Sequence, residues 1–348
     1  MKNQKTKLIL LLTACLVPLL LVSITTYIVD PFFVYHKPIS GGYYVIDNQL
    51  EQNPGIARHF DYDSIILGSS MTTNFDTLLF DNQLGTQTVK LSYNAAFPGD
   101  IDKIMNVVLE DPKEINHIFL CIDIANYLYY PNTLSFVYPE HLYDQNPLND
   151  LNYLLNKDVF IPYVIGNYVK KENTPINEAY WHWQYMYYGR QYVLKRYSAP
   201  EYKDTANPDY NLEHLKTNLE QCILPHIEAT PKTQWHVFFP PYSMLYWYDN
   251  LATKDAKTRI DGMAYVTERL LTYDNVDIHY FQDMEEWICN LDNYADITHF
   301  SKQISDEITT RLCSETNVVT SDTYMNRLDA FEEFVYSFDY DTFLSQPQ

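Results

Sequence analysis

Two short stretches, more than 220 residues apart, hold the residue types that an activated nucleophile needs. The first is Gly68-Ser69-Ser70-Met71, which follows an apolar run at 64–67. Glycine permits a tight strand-to-helix turn, and Ser70 would then open a helix whose free amides favour developing negative charge. Taken alone, the stretch has a plainer reading, in which Ser69 or Ser70 only caps that helix. The second stretch is Asn293-Tyr294-Ala295-Asp296-Ile297-Thr298-His299-Phe300-Ser301. A serine hydroxyl becomes a useful nucleophile only beside a base, and a carboxylate can hold that base in the right tautomer. Asp296 and His299, three apart and just before a helix, can supply both. A lone D-x-x-H is common; paired with G-S-S after the first strand it becomes specific.

Other chemistries find less support. The chain has 45 acidic and 24 basic residues, a net charge of −21, the opposite of the footprint a phosphate backbone requires. Nucleic acid is therefore not expected as a partner. Only 9 glycines are present, and neither G-x-x-x-x-G-K-[ST] nor G-x-G-x-x-G occurs. The histidines show no H-E-x-x-H or paired Cys/His spacing, so neither a metal site nor a cofactor is expected. Trp181 and Trp183, with Tyr185, Tyr187, Tyr188 and Arg190, could form an aromatic platform for sugar rings. Ordinary packing of an aromatic-rich segment is the competing reading. Tyr242, in Pro240-Pro241-Tyr242-Ser243 after the fourth strand, is expected at the rim of the same cleft.

These residues need elements to bring them together. Short apolar, β-branched runs predict strands at 64–67, 88–91, 117–122, 234–239 and 276–281. Helical spacing predicts helices from 70 through 80, at 99–110, 211–229, 256–271 and 301–315, and near 324–335 in the tail. That alternation predicts a three-layer α/β/α, flavodoxin-like fold around a mostly parallel five-stranded sheet. In such sheets ligands bind outside the carboxyl ends of strands, where both stretches fall. Residues 126–210 interrupt the rhythm and hold sixteen of the 32 tyrosines. They read as an aromatic-rich insertion, at about 127–210, within an α/β domain of 61–315. A lead-in at 30–60 precedes that domain, and an acidic helical tail at 316–348 follows it.

Lys2, Lys5 and Lys7 precede an apolar run from Leu8 to Val29. Its 22 residues span roughly 33 Å as a helix, enough for a bilayer core. The expected arrangement is a cytoplasmic stub at 1–7, an uncleaved transmembrane signal anchor at 8–29, and the bulk of the chain outside the cell membrane. A cleaved signal peptide and a lipoprotein box at Leu12-Thr13-Ala14-Cys15 are the alternatives; no A-x-A-like site follows the run. Cys121, Cys222, Cys289 and Cys313 would permit three disulfide connectivities, although Cys121 reads as a buried thiol within a strand.

With these residues in hand, the sequence resembles the SGNH/GDSL hydrolase superfamily. Within it, the likeness is to the membrane-anchored branch that includes alginate O-acetylation proteins and the D-alanyl transfer protein of teichoic acid assembly. The resemblance covers roughly 60–130 and 210–315. It implies Ser70 as nucleophile, completed by Asp296 and His299. Asn94-Ala95-Ala96-Phe97-Pro98-Gly99-Asp100 is similar to the family's second block, which implies an oxyanion-hole role for the amide of Gly99 beside that of Ser70. The first block reads G-S-S rather than G-D-S. The third, usually G-x-N-D, is replaced by Cys121-Ile122-Asp123-Ile124-Ala125-Asn126, with Asn126 or Asp123 as candidates for its position. The implied function is a serine esterase or O-acyltransferase on cell-envelope glycan, with the membrane and a membrane-bound acyl-donor protein as partners. The alternative is a non-catalytic envelope assembly or glycan-binding protein that keeps the fold.

Overall fold

The computed structural model describes residues 2–111, 113–314 and 316–345. The last three residues of the expected tail and the first of the expected stub lie outside them. Five strands form one sheet: β1 (Ser64–Leu67), β2 (Thr88–Lys90), β3 (His117–Cys121), β4 (Gln234–Phe239) and β5 (Val276–Tyr280). All pairings are parallel, in the order β2-β1-β3-β4-β5. The strands are buried almost throughout and mostly apolar, as suits a parallel sheet covered on both faces. Strand periodicity sorts the side chains into two sets. Ile118, Leu120, Trp235, Val237, Phe239, Ile278 and Tyr280 share one face. His117, Phe119, His236, Phe238 and His279 share the other, with Phe119 stacked on His236 at 4.8 Å between ring centroids.

The chain steps from β1 outward to β2, then crosses back to place β3 on the other side of β1. Between the carboxyl ends of β1 and β3 the connections therefore leave in opposite directions. That is where an open parallel sheet leaves a crevice.

Two expected helices prove to be pairs. Instead of one helix from 70 through 80 there are two, Ser70–Thr73 and Thr77–Leu84. Asp76 starts the second by accepting a hydrogen bond from the Leu78 amide. The buried Lys90 ammonium donates to the carbonyls of Thr73 (2.9 Å) and Phe75 (3.0 Å), taking oxygens that a continuous helix would use internally. Likewise 211–229 is Leu212–Cys222 followed by Leu224–Ala229, with Pro225 in the first turn of the second helix, where a missing amide is harmless. The tail carries helices Tyr324–Ser337 and Tyr340–Ser345. All five cysteines are free thiols.

Contacts divide the chain into two units, Met1–Phe60 with Val137–Ala179, and Asp61–Phe136 with Tyr180–Gln348. The middle of the aromatic-rich segment thus groups with the lead-in, and its two ends group with the sheet. In the first unit, the N-terminal helix Lys2–Val29 is long and apolar enough to cross a membrane. Its end is fastened by Asp30, whose carboxylate accepts hydrogen bonds from the amides of Val34, Tyr35 and His36 and from the Tyr153 hydroxyl (2.8 Å).

Candidate active site

Gly68 makes the turn that leads into the two serines. Its φ is +149°, and a Cβ there would lie 2.9 Å from both Cys121 Cβ and Thr72 Cγ2, so a side chain is excluded twice over. The two serines that follow divide the work. Ser69 is the helix cap: its hydroxyl oxygen accepts from the Met71 amide and its proton goes to the Asp123 carboxylate. Ser70, the first helical residue, is left with its hydroxyl directed elsewhere.

That direction is His299. Ser70 Oγ lies 2.9 Å from His299 Nε2, although the two residues are 229 positions apart. His299 Nδ1 lies 2.8 Å from Asp296 Oδ2. A carboxylate only accepts, so Nδ1 carries the proton of the neutral ring, and Nε2 is free to accept from the serine hydroxyl. The loop that presents this pair is closed on itself. Tyr294 and Phe300 form an antiparallel bridge, and the Ala295 amide donates to the His299 carbonyl at 2.9 Å. Asp296 Oδ1 accepts from the amides of Thr298 (2.9 Å) and His299 (2.8 Å). The segment after β4 supports the loop from behind, with Tyr294 OH on the Pro241 carbonyl (2.6 Å) and Ser243 Oγ on that of Ile297 (2.8 Å).

Charge in the site is organised around the imidazole. Burial by itself would raise the Asp296 carboxyl, but the His299 ring and the two amides overcome it and hold the group well below the usual carboxylate range. Burial likewise works against a charged His299. The hydrogen bond and negative charge of Asp296, helped by the charge of Asp123, reverse that and raise its pKa above the ordinary histidine value. Asp123 is itself buried, and desolvation pushes it up to about 6 against the Ser69 hydrogen bond and the charge of His299.

The remaining candidates take varied places. Gly99 is the second residue of the helix Pro98–Val108, packed so closely on the Thr133 backbone that a Cβ would lie 2.9 Å from its carbonyl oxygen. Asn126 donates through Nδ2 to the Ala96 carbonyl at 2.8 Å and so braces the 94–97 loop. The same loop is held by Ser135, whose hydroxyl reaches the Ala95 carbonyl and Asp100. Trp181 and Trp183 are half-buried; the Trp181 indole donates to the Phe75 carbonyl at 3.1 Å, just beyond the serine helix. Tyr242 is buried and packs on Tyr246 at 4.4 Å.

Asn74 was not apparent as a site residue. Its side chain accepts from the His182 amide at 2.6 Å, fastening the Trp181–Tyr188 stretch to the loop after Ser70. Tyr188, in that stretch, is close enough to Asp296 to feel its charge, although burial is the main cause that pushes its phenol up to about 12. A single asparagine offers no sequence pattern by which to find this clamp. A cavity of about 290 Å³, lined by Val193, Arg196, Tyr197, Asp249, Asp296 and Ile297, backs onto the carboxylate rather than the serine.

No family model and no curated protein matches the chain. A solved structure from Streptococcus pneumonia, described as "a putative platelet activating factor", is similar at 14% identity and a TM-score of 0.40, covering 77% of this chain and 90% of that one.

Proposed function

We propose that this chain is a membrane-anchored serine acyl-transfer enzyme, an O-acyltransferase or esterase, working outside the cytoplasm on cell-envelope polysaccharide. The observation that carries the reading is the unbroken line from Ser70 Oγ through His299 to Asp296, with contacts of 2.9 and 2.8 Å. In this reading the sheet and its helices form a three-layer SGNH-type domain, and the strand order is the feature in its favour.

The proposed chemistry has two halves. Ser70 Oγ attacks the acyl carbonyl while its proton passes to His299 Nε2, and Asp296 steadies the resulting imidazolium. The carbonyl oxygen becomes an oxyanion facing the amides of Ser70 and Gly99, each such donor being worth roughly 3 kcal/mol. The tetrahedral intermediate collapses, His299 returns its proton to the leaving group, and an acyl-serine remains. Water or a sugar hydroxyl then repeats the sequence in reverse and frees Ser70. No cofactor enters this scheme.

One observation favours a second reading, a non-catalytic envelope protein that keeps the fold. Of the two candidates for the third-block position, Asn126 is engaged with the Ala96 carbonyl and Asp123 is a buried carboxyl group. Fluorophosphonate labelling separates the two. The enzyme reading expects labelling of the wild type and none of Ser70→Ala, with p-nitrophenyl acetate turnover falling by about 10⁴-fold or more. Added envelope glycan should divert acyl groups from water if the enzyme is a transferase. An unlabelled wild type, or equal turnover in Ser70→Ala, sinks the triad.

A further inference from the structure

Within the unit that carries the N-terminal helix, one face is apolar and open to solvent. Residues 157–170 run as a nearly continuous helical rod, Lys157–Val159, the wider-coiled Phe160–Gly166, and Asn167–Lys170. One side of the rod is packed: Val159 and Val164 are buried, and Tyr163 meets Phe32 at 4.8 Å. The other side carries Ile161, Ile165 and Val169, spaced four apart, with Ile161 60% and Val169 75% exposed. Leu148 and Leu151, just before and at the start of the helix Leu151–Leu154, are also exposed, at 86% and 60%. No charge falls between residues 159 and 169; the charged residues sit at the rod's ends, Lys157 with Asp158 and Lys170 with Lys171 and Glu172. So much exposed apolar surface needs something to cover it.

The anchor helix says what that cover is. Leu8 to Leu21 are exposed all round, but Val22, Ser23, Thr26 and Val29, on a single face, lose exposure. The helical segments most closely packed on it are Leu151–Leu154 and Phe160–Gly166. From Val22 to Val29 is about 10 Å of helix, and the whole apolar run of roughly 33 Å only just exceeds a bilayer's hydrocarbon core of ~30 Å. Segments packed on its last 10 Å therefore stand at the depth of the membrane boundary. The rod meets the requirements of that depth, since a helix satisfies its own backbone groups. Its terminal lysines and its tyrosines, Tyr163 and Tyr168, are the side chains that settle where lipid meets water.

We propose that the open face of residues 157–170, with Leu148 and Leu151, is seated in the lipid of the membrane that the anchor helix crosses, on the side where that helix ends. The chain then holds its membrane in two ways, by one crossing and by one rod lying in the boundary. This is independent of the triad.

The test uses the full-length protein in vesicles of phosphatidylethanolamine and phosphatidylglycerol, with a diazirine amino acid at Ile161 or Val169 and, for reference, at Leu12. All three positions are exposed, so the fold is not at stake. Irradiation followed by mass spectrometry should find phospholipid adducts at Ile161 and Val169 within about threefold of the yield at Leu12. Water-quenched product or adducts to another protein at Ile161 and Val169, with lipid adducts at Leu12, would overturn the seating of the rod. Absence of lipid adducts at Leu12 would overturn it too, by removing the anchor on which it rests.

Discussion

Two histidines in the sheet unit, His299 and His236, both largely shielded from water, behave in opposite ways. His299 lies in a loop beyond the carboxyl ends of the strands, and its pKa is raised although burial pulls it down. His236 lies on β4, stacked on Phe119, with His117 Nδ1 3.1 Å from its Nε2 and the His279 ring 5.9 Å away. Burial lowers it to about 3, and the neighbouring imidazoles add to the effect. Burial acts on both in the same direction, so the difference is made by the partner. His299 faces two carboxylates; His236 faces aromatic rings and other histidines. In the proposed mechanism the first would gain a proton as the serine gives it up, whereas the second is held neutral by its surroundings.

The largest expected effect comes from turning the first kind into the second. Asp296→Asn removes the charge and lets the amide hydrogen-bond either tautomer, so ester turnover should fall by about 10⁴-fold while the thermal transition and circular dichroism stay near wild type. Turnover within tenfold of wild type would mean that Asp296 does not set the state of His299.

Next in size is the acid side of stability. An unfolded His236 takes its proton near pH 6.5, whereas the folded residue holds out to about 3, so stability should drain away as pH falls through that window. His236→Phe, which has Phe119 and Phe238 as neighbours, should make the loss shallower: a higher melting temperature than wild type at pH 4.5 and little change at pH 8. Equal losses in both detergent-solubilised proteins would place the acid sensitivity elsewhere. Within the Asp296–His299 pair, the depressed aspartate also loses its contribution on acidification, whereas His299 has the opposite sign. A raised histidine pKa contributes stability that is full below the unfolded value and is lost as pH rises through the folded one.

The smallest effect is the most specific. Activity should rise with pH as His299 becomes the free base, with a midpoint above the ordinary histidine value because its pKa is raised. Asp123→Asn removes one of the two charges responsible, so the acid limb of kcat/KM should move to lower pH with Asp296 untouched. A limb that stays in place, or moves up, would show that Asp296 acts alone.

Legibility in the sequence followed the range of the interactions. β4 was readable residue for residue at 234–239, because a buried parallel strand is a local apolar run. The turn at Gly68 and the spacing of Asp296 and His299 were readable for the same reason, each being decided within a few residues. The break between Thr73 and Thr77 was not, since it depends on Lys90 arriving from β2. Nor was the bond from Ser69 to Asp123, which exists because β1 and β3 lie side by side. The division of residues 126–210 was hidden as well: tyrosine content shows that a segment is packed, not what it packs on.

The loop at 294–300 makes its Asp–His pair from residues three apart, and that pair meets the serine through one hydrogen bond, between Ser70 Oγ and His299 Nε2. In inheritance the two halves are therefore separable. A lineage that loses the serine keeps a finished Asp–His pair, and a single codon change is enough to restore the nucleophile. Loss of the aspartate or the histidine instead unpicks the loop's own hydrogen bonds and takes more steps to rebuild. Descendants that abandon the chemistry should thus be recognisable by an altered residue 70 above an intact D-x-x-H, more often than by the reverse.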